Sequence, residues 1–177
     1  MKKTLLSLLA VAAVAVSVNA EPRFGLVAYN GGSNGAYATA VQANTSGIGN
    51  FQPGIIVVDD QYTASLSFGS TTSEAAGGNK ETDSSFTLGA NYKMPLDANN
   101  SGTFGLAYTS LSGDSVDSSN NLQGLAGIER NLGNNLLLTI EAVVYETGKH
   151  DPSTTGVGET KTSGFLNGGR FGLAYLL

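Results

Sequence analysis

Residues 165–177 read Phe-Leu-Asn-Gly-Gly-Arg-Phe-Gly-Leu-Ala-Tyr-Leu-Leu, and this stretch decides the fold class. Its apolar and aromatic side chains share one strand parity, while small or charged side chains share the other. The first parity holds Phe165, Phe171, Leu173, Tyr175 and Leu177, and the second holds Arg170, Gly172 and Ala174. A strand needs this pattern when lipid lies on one side and a lumen on the other. The stretch therefore predicts a membrane-spanning β-strand.

The first twenty residues are typical of a secretory signal peptide. Lys2 and Lys3 precede an apolar run over residues 5–18, and Val18-Asn19-Ala20 is a small-residue cleavage pattern. The run is shorter than the roughly 20 apolar residues that a membrane helix requires. We expect residues 1–20 to be removed and residues 21–177 to form one domain.

The composition argues against some classes of protein. The formal net charge of −5 argues against a nucleic-acid partner. Because the chain has no cysteine, no disulfide framework stabilises it. The mean hydropathy of +0.00 is that of an ordinary soluble protein. A transmembrane barrel has a similar average, since half of each strand faces the lumen.

Seven further segments show the same alternation, at residues 24–28, 37–41, 62–68, 86–94, 104–108, 122–128 and 136–144. With the last strand they predict an all-β fold, an eight-stranded antiparallel up-and-down transmembrane β-barrel. Residues 43–60 leave an alternative open. The run Ile55-Ile56-Val57-Val58 either belongs to a third strand that begins near Gly54 and continues to Tyr62, which we favour, or adds a hairpin that makes ten strands. A soluble β-sandwich is disfavoured, because it would bury the apolar parity.

The aromatic residues and the connections fit this topology. We predict two aromatic girdles at the membrane interfaces, a lower one of Phe24, Tyr62, Tyr92, Phe104 and Tyr175 and an upper one of Tyr37, Phe68, Phe86, Tyr108 and Phe165. Tyr29, Phe51 and Tyr145 lie off the outward parity. Residues 95–102 and 131–134 predict short periplasmic turns, and residues 70–84, 112–120 and 146–163 predict longer, acidic external loops that include Glu146.

The inward parity carries polar and charged side chains. Glu141 and Arg170 lie on adjacent predicted strands at similar depth, so we expect a buried pair that fills the lumen. A selectivity or gating element is the other interpretation. Lys93 and Glu129 lie lower and extend the same lumen charge network if the strand shear allows contact. The many small inward residues predict separate water pockets rather than an open channel.

The signal peptide, the strand number, the loop alternation and the ending Phe171-Gly172-Leu173-Ala174-Tyr175-Leu176-Leu177 resemble the small eight-stranded outer-membrane barrels of the OmpA-transmembrane-domain and OmpX-like type. The resemblance covers residues 23–177. That family usually ends in Phe, whereas this chain ends in Leu177. The resemblance implies a bacterial outer membrane, with outer-membrane lipid, lipopolysaccharide and the outer-membrane assembly machinery as partners.

These features predict a non-enzymatic protein with a structural or surface-interaction role, and no cofactor or metal is expected. A narrow passive pore is the first alternative, and a lipid-A-modifying enzyme is a weaker one. His150, Asp151 and Ser153 offer a base, an acid and a hydroxyl, but they lie in the longest predicted loop, where nothing fixes a catalytic triad.

Overall fold

The computed structural model describes residues 21–33, 52–74, 80–114, 116–152, 159–166 and 168–177. These residues form nine β-strands. The strands are β1 (Arg23–Ser33), β2 (Gln52–Val58), β3 (Tyr62–Glu74), β4 (Lys80–Pro95), β5 (Asn100–Gly113), β6 (Val116–Gly133), β7 (Leu136–Pro152), β8 (Thr160–Phe165) and β9 (Gly168–Leu176).

Eight of the strands close into a ring. Strands β1 to β7 pair antiparallel with their sequence neighbours, β7 pairs with β9, and β9 pairs with β1 to complete the barrel. Strand β8 lies outside the ring and pairs with the upper part of β7. The predicted eight-stranded antiparallel barrel is therefore confirmed, and the ten-stranded alternative is wrong.

Strand β9 shows why the chain adopts this fold. Its residues alternate strictly, so that Arg170 and Ala174 are buried while Phe171, Leu173 and Tyr175 are 40%, 44% and 50% exposed. The exposed side chains are the apolar ones, which is the inverse of a water-soluble sheet. In the part of the chain that the structure describes, no helix has the length and apolar character to cross a membrane.

The second strand differs from the prediction. Residues 52–58 form β2, which pairs with β1 on one side and β3 on the other, instead of forming the start of the third strand. The chain reverses after it because Oδ1 of Asp59 accepts hydrogen bonds from the backbone N–H groups of Gln61 and Tyr62, at 2.7 and 2.6 Å. The segment at residues 37–41 that we predicted as strand two lies outside the described residues.

The predicted external loops are largely strand in the part that the structure describes. Strands β3 and β4 stay paired as far as Glu74 and Lys80, and β7 stays paired with β8 as far as His150 and Thr160. The Ser, Thr and Asn residues there look like turn residues in sequence. Above the membrane both faces of a strand meet water, so hydrophobic alternation ends while the backbone ladder continues.

Strand β7 contains a β-bulge that the alternation does not reveal. Gly124 pairs with Tyr145 and Leu125 with Val143, which leaves Val144 without a partner on β6. The extra residue reverses the parity above it. Tyr145, predicted to face inward, is therefore 49% exposed, and Glu146, predicted in an external loop, is buried in the lumen.

The lower turns are short and contain the residues that their geometry requires. Asn134 and Asn135 have φ of 50° and 65° between β6 and β7, as a two-residue hairpin turn needs. Between β4 and β5, Asp97 accepts hydrogen bonds from the side chain and backbone of Asn100 and from the backbone of Asn99. These bonds favour the ionised form and lower the pKa of the Asp97 carboxyl.

Candidate functional site in the barrel lumen

The lower lumen contains one buried ion pair. Nζ of Lys93 on β4 lies 2.9 Å from Oε1 of Glu129 on β6, and both side chains are buried. Oγ1 of Thr63 on β3 donates to the other carboxylate oxygen of Glu129 at 2.8 Å. Glu129 therefore links three strands. In the sequence analysis the contact between Lys93 and Glu129 depended on the strand shear, and in the structure the two side chains are in contact.

A second buried ion pair lies above it. Nε of Arg170 on β9 donates to Oε2 of Glu141 on β7 at 2.6 Å. Nδ2 of Asn91, across the lumen on β4, donates to Oε1 of the same carboxylate at 2.8 Å. Both oxygens of Glu141 are thus occupied, as a carboxylate removed from water requires. Glu141 and Arg170 are direct cross-strand partners in the pairing of β7 with β9, so the predicted contact is present.

Arg170 also stacks on an aromatic ring. Its Cζ lies 4.7 Å from the centroid of the Tyr29 ring on β1, within cation–π distance. The ring lies against the neighbouring strand at Gly172, where a Cβ would lie 2.5 Å from Cε1 of Tyr29. Tyr29 is one of the three aromatics that lie off the outward parity, and its buried ring packs against the guanidinium of Arg170.

Small residues of the lumen make room for these large side chains. A Cβ at Gly89 would lie 3.4 Å from Nη2 of Arg170, one at Gly127 would lie 2.9 Å from Cγ of Glu141, and one at Gly105 would overlap the side chain of Asn91. At these glycines the space beside the backbone is taken by backbone and side-chain atoms of the neighbouring strands.

The interior is not uniformly polar. Seven buried residues form an apolar cluster low in the barrel, and a second cluster lies on the β5–β7 wall. The first holds Val27, Tyr29, Ile56, Val58, Leu137, Ala174 and Leu176, and the second holds Ala107, Leu125 and Val143. Leu137, Val143 and Leu176 each lie next to another leucine or valine in sequence, so the sequence pattern conceals their inward orientation.

Polar contacts continue into the upper lumen. Oγ1 of Thr87 and Oγ1 of Thr109 are 3.0 Å apart, and Nδ2 of Asn121 donates to Glu146 at 3.3 Å. The alternation in the sequence could not identify Glu146 as an inward residue, because the bulge in β7 reverses the parity there.

Four buried polar atoms have no hydrogen-bond partner among the described residues. They are the hydroxyl oxygens of Tyr29 and Thr103, Oδ1 of Asn91 and Nη2 of Arg170. In the same ranges, no group of three or more acidic, histidine or cysteine side chains is placed to hold a metal ion. Backbone pairing places His150 and Asp151 at the end of β7 rather than in a loop, and Ser153 lies outside the described residues.

The outer wall places the predicted girdle residues in two bands. Phe24, Tyr92, Phe104 and Tyr175 are about half exposed near the lower turns, and the rings of Tyr62 and Tyr92 meet edge to face with centroids 5.6 Å apart. In the upper band, the rings of Phe86 and Tyr108 are 6.3 Å apart, and Phe68 and Phe165 are exposed. Tyr145 joins the upper band by pairing with Phe165, while Tyr37 lies outside the described residues.

The orientation of Tyr145 gives a direct test of the bulge. The chain has no tryptophan, so Tyr145→Trp introduces the only indole fluorophore. We expect brominated lipids to quench this tryptophan as they quench a Leu173→Trp control, because both side chains face the lipid. Absence of quenching at position 145 alone would mean that the unbroken alternation, with Tyr145 inside, is correct.

Comparison with known proteins supports the fold alone. No protein-family model and no curated protein matches the chain. Outer membrane protein H (OprH) from P. aeruginosa is 17% identical with a TM-score of 0.51, covering 89% of this chain and all of that one. Ail, the attachment invasion locus protein of Yersinia pestis, solved with the heparin analogue sucrose octasulfate, is 13% identical with a TM-score of 0.39 over 88% of this chain and 96% of its own.

A major outer membrane protein from Thermus thermophilus is 17% identical with a TM-score of 0.38, covering 88% of this chain and 99% of that one. The conclusion about the fold rests on the match to OprH, because its TM-score lies above 0.5. The predicted resemblance to small outer-membrane barrels is confirmed at the level of the fold.

Proposed function

We propose that this chain is a non-enzymatic outer-membrane barrel whose filled lumen stiffens a platform for surface interactions. The observation that carries the proposal is the network around Arg170, which spans the lumen from β9 to Glu141, Asn91 and Tyr29. Together with the Lys93–Glu129 pair below it, the network obstructs the barrel at two depths. An eight-stranded barrel is only just wide enough for its side chains to fill, which favours a plug.

The part above the membrane supports the surface role. The hairpins β3–β4, β5–β6 and β7–β8 extend the barrel wall beyond the upper aromatic band as paired strands. Backbone pairing holds these described residues in shape. A partner that binds along the paired residues would therefore meet an ordered surface and would lose less entropy on binding.

Conductance in planar bilayers tests the filled lumen. We expect no stepwise current from the wild-type protein, because two buried ion pairs occupy the cross-section. The Glu141→Gln, Arg170→Met double variant is expected to stay silent as well, since both replacement side chains still fill the same space. Discrete steps from the folded wild-type protein would contradict the plug.

A narrow passive pore is the second candidate function. The four unpartnered buried polar atoms favour it, because a file of water would satisfy them. Under this alternative the Arg170 pair acts as a gate, and the double variant conducts far more than the wild type while remaining folded. The same conductance recording therefore distinguishes a filled barrel from a narrow pore.

A further inference from the structure

Apolar side chains line half of the circumference of the lumen at its lower end. Val58 is the last residue of β2, Leu176 is the last of β9 and Leu137 is the second of β7, so all three lie close to the lower rim. With Val27 and Ile56 they belong to the first apolar cluster, and none is more than 6% exposed. The strands β2, β1, β9 and β7 are consecutive in the ring, so these five side chains form one apolar half-ring.

Gly25 allows the apolar half-ring to pack tightly. It is the direct cross-strand partner of Ile56 on one side and of Leu176 on the other. A Cβ at Gly25 would lie 2.9 Å from Cδ2 of Leu176, so the leucine occupies the space that a side chain at position 25 would need. Leu176 therefore lies over the backbone of β1, and Ile56 beside it is only 1% exposed.

The Lys93–Glu129 pair occupies the other half of the lower lumen. Nζ of Lys93 and Oγ1 of Thr63 both bond to the Glu129 carboxylate, and all three side chains are buried. Thr63 is the direct cross-strand partner of Val58, so the polar half and the apolar half meet there. Polar groups such as these exchange protons with any water that reaches them, whereas an apolar constriction excludes the water that carries protons and ions.

We propose that the apolar half-ring seals the lumen against water and protons at its lower end. The inference rests on the proposed function, because it takes the lumen to be filled, and it assigns the barrier to these apolar side chains rather than to the ion pairs. A file of water along the unpartnered buried polar atoms, as a pore requires, would end at this layer. The pair of Glu141 and Arg170 then serves to hold β7 and β9 together, and the lower end stays closed without it.

Residues 55–58 of β2 offer a matched test, because alternate side chains of this run face the lumen and the lipid. Ile56→Thr with Val58→Thr puts two hydroxyl groups into the apolar half-ring. Ile55→Thr with Val57→Thr puts the same two groups on the outer face of the same strand. Threonine is close to valine in shape, so water gains hydrogen-bonding groups in the lower lumen while the strand keeps β-branched side chains.

The measurement is the proton flux into vesicles that contain the folded barrel and an enclosed pH-sensitive dye, after a step in external pH. We expect the inward double variant to raise the flux about tenfold over wild type, which corresponds to a barrier lower by about 1.4 kcal/mol. The outward double variant should keep the wild-type flux. Glu141→Ala with Arg170→Ala, which empties space at the upper ion pair, should also leave the flux unchanged.

Unchanged flux in the folded inward variant, or an equal rise in the outward variant, would overturn the seal. An equal rise in the Glu141→Ala, Arg170→Ala variant would also overturn it, because the barrier would then lie at the ion pair, while the filled lumen of the proposed function would stand. Stepwise conductance of the wild-type protein would instead contradict the proposed function itself. Heat-modifiable gel mobility reports folding of each variant, and if the inward double variant does not fold, Val58→Thr against Val57→Thr makes the same comparison.

Discussion

Replacing Arg170 with Met is expected to destabilise the barrel by about 3–5 kcal/mol, because Glu141 is left buried without its counter-ion. Glu141→Gln is expected to cost somewhat less, since the neutral amide keeps the volume and still bonds to Asn91. Urea-dependent unfolding in lipid vesicles measures both losses.

The double variant decides whether the two residues interact directly. Glu141→Gln with Arg170→Met should cost less than the sum of the single changes, by about 1–3 kcal/mol. The exposed pair Lys149–Glu159 is the matched control, since a cycle between solvated charges gives a coupling near zero. Additive losses at 141 and 170 would mean that the contact between Glu141 and Arg170 does not stabilise the fold.

The second large effect is expected at Leu173. Leu173→Arg should destabilise the barrel by about 2–4 kcal/mol if the side chain lies near the bilayer midplane. The size of the effect is diagnostic, because Leu173 is already 44% exposed. In a water-soluble protein a charge at such a position would be tolerated, whereas in lipid it is not.

Ala174→Ser is the control for that variant. Ala174 is the next residue of β9 and faces the lumen within the lower apolar cluster, so an added hydroxyl there has a small cost but puts no charge into lipid. Insertion into vesicles should remain close to wild type, and the free energy of unfolding should fall by only about 1 kcal/mol. If Ala174→Ser disturbs insertion as much as Leu173→Arg does, the assignment of lipid and lumen faces is wrong.

The features that could be predicted from the sequence are those that depend on whether each face of a strand meets lipid or the lumen. Strict alternation in β9 separates Leu173 from Arg170 and Ala174, because lipid and lumen select different side chains. That signal disappears where both faces meet the same solvent, and for this reason the upper hairpins looked like loops. It also disappears at inward apolar positions such as Ile56, because the exposed neighbour Ile55 is a residue of the same type.

Contacts across the lumen were predictable only in part. Parity and depth predicted the contact between Glu141 and Arg170 on adjacent strands. Contacts between strands that are not neighbours depend on strand shear, which the sequence does not reveal. Asn91 and Thr63 therefore went unrecognised as partners of the two glutamates. The bulge at Val144 carries no sequence signal, because an extra valine in an apolar strand continues a plausible pattern.

The stack of Arg170 on Tyr29 beside Gly172 lies across the joint between the first and the last strand of the ring. A shift of two residues in the pairing of these strands would keep every side chain on the same face of the barrel, so the apolar residues alone do not oppose it. It would, however, bring Tyr29 opposite Arg170 itself or Ala174 instead of the glycine between them. The stack thus makes the observed register between β1 and β9 more stable than the two registers that are shifted by two residues, and so specifies how the barrel closes.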